Sequence, residues 1–172
     1  SYCDSKGTVL FHNFYMQHAL LETSAHYVDF PWRPTNCIQG TGMPNDIPAA
    51  NTFYDTMHTV RYNLHRAYIR KCLDELGDYS NFFHLVSEEY TGPLSFVQFW
   101  LDVVSEWEAE KGKDVRVCVG ATKDVLDAVA GDSRVSALDL RYFWYQSNGT
   151  LHAPAGGQQV AGRYAGGFNV AA

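Results

Sequence analysis

Short apolar runs alternate with stretches of helical period, and this alternation constrains the chain more than any other feature. Residues 8–14, 82–87 and 115–120 are compact apolar segments of strand length. A fourth strand is predicted over 135–145, centred on Leu138 to Trp144. Between them the period changes. A helical pattern begins near Asn51 and carries Leu64, Ala67, Tyr68, Cys72 and Leu76 at spacings of three and four, with Gly77 placed to end it. Pro93 opens a second helix whose stripe is Val97, Trp100, Leu101, Val104 and Trp107, and Gly112 stops it. Thr122 caps a third, through Val125, Leu126 and Val129. The order β-α-β-α-β-α-β implies an α/β fold with about four parallel strands and right-handed crossovers. Residues 17–48 hold four prolines and two glycines and read as one long loop, with a helical turn or two within 19–27.

The chain has 172 residues, which predicts a single domain over 1–172, ending in a Gly-rich tail over 161–172. Thirteen Lys and Arg against 19 Asp and Glu give a net charge of -6, so neither a nucleic-acid nor an anionic-membrane partner is expected. No run approaches the roughly 18 apolar residues of a membrane span. No cofactor is expected, because no glycine-rich phosphate-binding pattern follows a strand. Cys3, Cys37, Cys72 and Cys118 fit no metal spacing and are expected to be free thiols in a reducing compartment. The chain begins at Ser1 without a signal peptide, which leaves cytoplasm and periplasm both open.

In parallel α/β folds, active residues collect past the carboxyl ends of the strands. There stand His12 and Asn13, then Glu88 and Glu89, then Thr122 and Lys123, then Arg141, Trp144, Tyr145 and Gln146. The Glu88-Glu89 pair is the sharpest feature. A carboxylic acid at a strand end can protonate a leaving oxygen if burial raises its pKa. Two glutamates before a helix N-terminus are also favoured by the helix dipole alone. Strand alternation lets only one of them face inward while the strand stays regular. His12, His18, His26, His84 and His152 have no metal-ligand spacing, so no metal site is expected.

Several segments carry a resemblance: His65-Arg66-Ala67-Tyr68, Ser87-Glu88-Glu89-Tyr90-Thr91-Gly92-Pro93, Phe96-Val97-Gln98-Phe99-Trp100, Ala121-Thr122-Lys123-Asp124-Val125, Ala153-Pro154-Ala155-Gly156-Gly157 and the loop from Ala25 to Pro34. Together they resemble a bacterial glycoside hydrolase-like family with a (β/α)8 barrel. The resemblance implies a partial TIM-type barrel, a half-barrel of about four strands, because a complete barrel takes about 250 residues. It implies Glu89 as the general acid/base, with Glu88 standing where that family usually has Asn. It also implies a saccharide site lined by His12, Asn13, Lys123, Arg141, Trp144 and Tyr145. The second carboxylate that hydrolysis requires has no matching position.

The expected function is therefore hydrolysis of glycosidic bonds in a poly- or oligosaccharide. The alternatives are a saccharide-binding fragment without catalysis and a metal-dependent hydrolase using the histidines. Four parallel strands cannot close a barrel. Sheet edges and the inward members among Leu10, Val117, Val119, Leu138 and Leu140 are left open, and a homodimer or larger assembly is expected to cover them.

Overall fold

The structure, a computed structural model, describes residues 2–142 and 145–150 and the backbone of 170–171. A short helix α1 (Tyr2–Ser5) precedes strand β1 (Leu10–Met16), a π-helix (His18–Glu22) and two single-turn helices, α2 (Ser24–Tyr27) and α3 (Ala50–Phe53). Then come α4 (Thr59–Leu76), β2 (Phe82–Glu88), α5 (Leu94–Lys111), β3 (Arg116–Gly120), α6 (Lys123–Val129), β4 (Ala137–Asp139) and β5 (Val170–Ala171). The sheet runs β1-β2-β3-β4-β5 in chain order. Its first four strands are parallel, and β5, inside the predicted tail, pairs antiparallel with β4. The parallel α/β expectation therefore holds.

Strand alternation sorts the sheet into two faces. Val86, Val117 and Val119 join Trp100, Trp107 and Val97 of α5 in the main core. Their neighbours Leu85, Cys118 and Ala137 form a second buried cluster, with Phe11 and Phe83 against it. Val117 and Val119 are thus covered within one chain, and so is the opposite face at Leu85 and Cys118. The open sheet edges that remain among the described residues are those of β1 and β5, each of which pairs on one side only.

The buried face of α4 is not the predicted one. Arg61, His65, Ile69 and Leu73 face inward, while Ala67 and Tyr68 are exposed. Two of the four core positions are polar, so apolar periodicity could not find them. Each is bonded by the segment before the helix. Arg61 donates to the Thr41 carbonyl at 2.7 Å, and pairs with Asp55 Oδ2 at 2.7 Å. His65 Nε2 donates to the Phe53 carbonyl at 2.8 Å, which leaves Nδ1 to accept from the Tyr15 hydroxyl at 2.8 Å. Buried polar groups with partners of this quality cost little. The predicted helix start near Asn51 is split into α3 and α4 by a turn in which Asp55 Oδ1 accepts the Met57 N–H at 2.9 Å.

Residues 17–48 are ordered by their own hydrogen bonds. The Tyr27 hydroxyl donates to the Pro44 carbonyl at 2.6 Å and Thr41 Oγ1 to the Trp32 carbonyl at 2.7 Å. Tyr27, Phe30 and Met43 are buried in the main core, so this segment is a packed layer over the carboxyl end of β1.

β4 is much shorter than the predicted 135–145. Asp139 Oδ1 accepts the Arg141 N–H at 3.0 Å, and Tyr145 N–H donates to the Tyr142 carbonyl at 2.9 Å, so the chain turns directly after Asp139. An Asp bonding the backbone two residues on competes with the sheet ladder.

Candidate functional site

The carboxyl ends of β1, β2 and β4 meet around Glu88 and Glu89. Regular alternation would point the two glutamates apart. Glu89 instead has φ 53°, the left-handed region, and it is the one non-glycine residue there among the described residues. That conformation costs an L-residue about 1–2 kcal/mol, and such strain collects at functional sites. It ends the strand and swings both carboxylates to one guanidinium. Arg141 Nη1 lies 3.5 Å from Glu88 Oε1 and 3.9 Å from Glu89 Oε1.

Asp139 completes the group. Its Oδ2 is 3.9 Å from Arg141 Nη2, and the residue is 4% exposed. Burial raises the proton affinity of its carboxyl above the ordinary range, opposed by the Arg141 N–H bond and the Arg141 charge. Gly120 at the end of β3 makes room for it. A Cβ there would sit 3.1 Å from Asp139 Oδ2. Tyr142 follows in the same turn. Its phenol is pushed up to about 12, first by burial and then by the charge of Glu89 and the hydrogen bond to it.

The other wall comes from the π-helix. Met16, His18 and Ala19 line a pocket of about 200 Å³ with Glu88 and Glu89. Gln17, at the turn from β1, is 2% exposed and holds this wall in place. Its Nε2 donates to Glu22 Oε1 at 2.6 Å and Thr91 Oγ1 at 2.7 Å, and its Oε1 accepts the Thr91 N–H at 3.2 Å. Glu22 Oε2 is 3.3 Å from His18 Nδ1. One buried amide therefore ties the π-helix to the segment that follows the glutamates. Single π-turns are frequent at functional sites.

Of the residues expected at the site, Glu88, Glu89 and Arg141 are brought together. His12 is not at a strand end. β1 continues to Met16, and His12 pairs in register with His84 in mid-sheet. Asn13 lies across from Leu85, with a buried Oδ1 that has no hydrogen-bond partner. Lys123 opens α6, forms an ion pair with Asp127, and gives its N–H to the Tyr145 carbonyl at 2.7 Å. Tyr145 is exposed and packs its ring 5.5 Å from Tyr142. Trp144 and His152 lie outside the described residues.

The sequence reading missed Gln17, His18, Asp139 and Tyr142 as site residues. The signal for Asp139 was present, since it sits two residues before Arg141, but the overlong strand hid it. No signal marked Gln17, whose partners are five and 74 residues away. Among the described residues, no group of three or more His, Cys, Asp or Glu is placed to hold a metal ion.

Fold and site together define an α/β protein with a parallel sheet and a carboxylate-rich cleft at the carboxyl ends of its strands. Residues 1–167 match the family described as a domain of unknown function, DUF6298, and the chain belongs to that family. No curated protein and no solved structure matches it.

Proposed function

We propose that this protein is glycoside hydrolase-like and cleaves glycosidic bonds in a poly- or oligosaccharide, with Glu89 as the general acid/base. The observation that carries the reading is the left-handed Glu89, which brings it and Glu88 onto Arg141 in a pocket open to solvent. A glycosidase needs an acid beside the leaving oxygen and a second carboxylate near the ring. Glu89, whose charge lies beside Tyr142, has the first role. Glu88 is the neighbouring carboxylate in the same pocket. Asp139 is a positioning residue, because it reaches the ring site through Arg141, whose N–H and guanidinium it fixes.

The test is release of the aryl alcohol from a panel of aryl glycosides, and of reducing ends from polysaccharides. Glu89→Gln should abolish turnover while Glu88→Gln retains part of it, with no loss on adding a chelator. Equal turnover by Glu89→Gln and the parent chain overturns the assignment. Chelator-sensitive turnover would favour the metal-dependent alternative.

A further inference from the structure

We infer that a second, larger cavity beside β1 binds the aromatic ring of a ligand. It encloses about 400 Å³ between the carboxyl end of β1, the π-helix, and the segment that carries Trp32. This is within the size range of small-molecule sites. Leu21, Phe30 and Phe53 form a buried floor. Met16, Trp32 and Tyr68 form the rim, and Met16 and Tyr68 are 48% and 40% exposed, so the cavity opens to solvent.

The hydroxyls of its walls are not free for a ligand. Two phenols line it, and both hydroxyls are committed elsewhere. Tyr15 donates to His65 at 2.8 Å, and Tyr68 donates to the Phe14 carbonyl at 2.8 Å. What they present to the cavity is ring carbon. A sugar ring placed there would give up hydrogen bonds to water and regain none from these two phenols, whereas an aromatic ring has none to give up. The site is also preformed. The Trp32 ring is held against His65 and Phe53, with centroids at 4.6 and 5.0 Å, and its carbonyl is tied to Thr41. Edge and tilted contacts of this kind leave the Trp32 ring oriented before any ligand arrives.

Position defines the ligand further. Met16 lines both this cavity and the pocket of Glu88 and Glu89. A thioether side chain adapts readily to whatever passes it. The ligand class is therefore an aryl group bearing a polar substituent, with the ring at Trp32 and the substituent directed toward the glutamates. The inference goes beyond the hydrolase reading, because the ring site holds whether or not the glutamates cleave anything.

The test is calorimetric titration of the whole chain with 2-naphthol, with methyl β-glucoside as the hydroxylated comparison. Saturable 2-naphthol binding is expected at about 0.1 mM. Trp32→Leu should weaken it about tenfold or more. Because Trp32 packs on the core, Met16→Glu provides a second variant at an exposed rim position. It should weaken 2-naphthol similarly while leaving the unfolding midpoint near that of the parent. Glu89→Gln, outside the ring site, should still bind 2-naphthol saturably even if it abolishes turnover, so that loss of turnover does not bear on the ring site. The inference is overturned if 2-naphthol shows no saturable binding, if methyl β-glucoside displaces it at equal concentration, or if Met16→Glu binds it unchanged.

Discussion

His12 and His84 face each other across the β1–β2 pair, with Nδ1 3.2 Å from Nδ1. A hydrogen bond between them requires one ring to carry its proton on Nδ1 and the other to accept there, so the accepting ring must stay neutral and the bond is lost when both rings are protonated. Burial lowers the proton affinity of both. His84 is brought down to about 4, with the neighbouring His12 adding to the effect, and His12 is lowered by burial alone. His65 is also lowered to about 4, chiefly by burial.

The sign of the pH dependence follows. Between the unfolded histidine value of about 6.5 and the folded value of about 4, the unfolded chain binds more protons. Stability is complete above about pH 6.5 and is lost as pH falls toward 4, by on the order of 2–3 kcal/mol for each fully buried histidine. Urea midpoints measured from pH 7 to 4.5 should fall steadily. His84→Leu should flatten that slope, and an unchanged slope would refute the assignment.

Glu89 sets strain against chemistry. Glycine adopts φ 53° without cost, so Glu89→Gly should be more stable than Glu89→Ala by about 1 kcal/mol. The lost contact to Arg141 at 3.9 Å is half-exposed and contributes little. Both variants should lack turnover. Thermal unfolding that places the Ala variant level with the Gly variant would show that Glu89 is not strained.

All four cysteines are free, and they differ in reactivity. Cys118 is fully buried, and its thiol is pushed up to about 12 by burial first and then by the charge of Asp139. Thiolate is the reacting species. Iodoacetamide on the native protein should label Cys3 and Cys37 and leave Cys118 untouched until the chain is unfolded. Peptide mass mapping reads this directly, and early labelling of Cys118 would contradict its burial.

Gly77 ends α4 for a reason of packing. Its φ is -68°, so no left-handed turn requires glycine. A Cβ there would stand 2.4 Å from Cη2 of Trp107 and 2.7 Å from the Leu73 carbonyl oxygen. Trp107 is buried and its indole N–H is bonded to Asp74 at 2.9 Å, so it cannot give way. Gly77→Ala should cost about 1–3 kcal/mol in a urea titration. Gly131→Ala, where nothing stands within 4 Å, should be neutral or slightly stabilising.

The order of the four parallel strands and the three helices between them was legible in the amino-acid pattern, as was the stripe of α5, with Trp100 and Trp107 at its centre. These are local patterns, and burial of apolar side chains on one face is enough to produce them. The Glu88-Glu89 pair stood out there too, and the structure brings both onto Arg141. Long-range contacts set the buried face of α4, because Arg61 and His65 enter a core on the strength of partners at Thr41, Asp55, Phe53 and Tyr15. The same holds for the ends of β1 and β4, which set Met16, rather than His12, and Asp139 at the carboxyl edge. Glu89 shows the reason most plainly. Its left-handed backbone is unfavourable locally, and only the packing of β2 against Gln17, Thr91 and Arg141 holds it there.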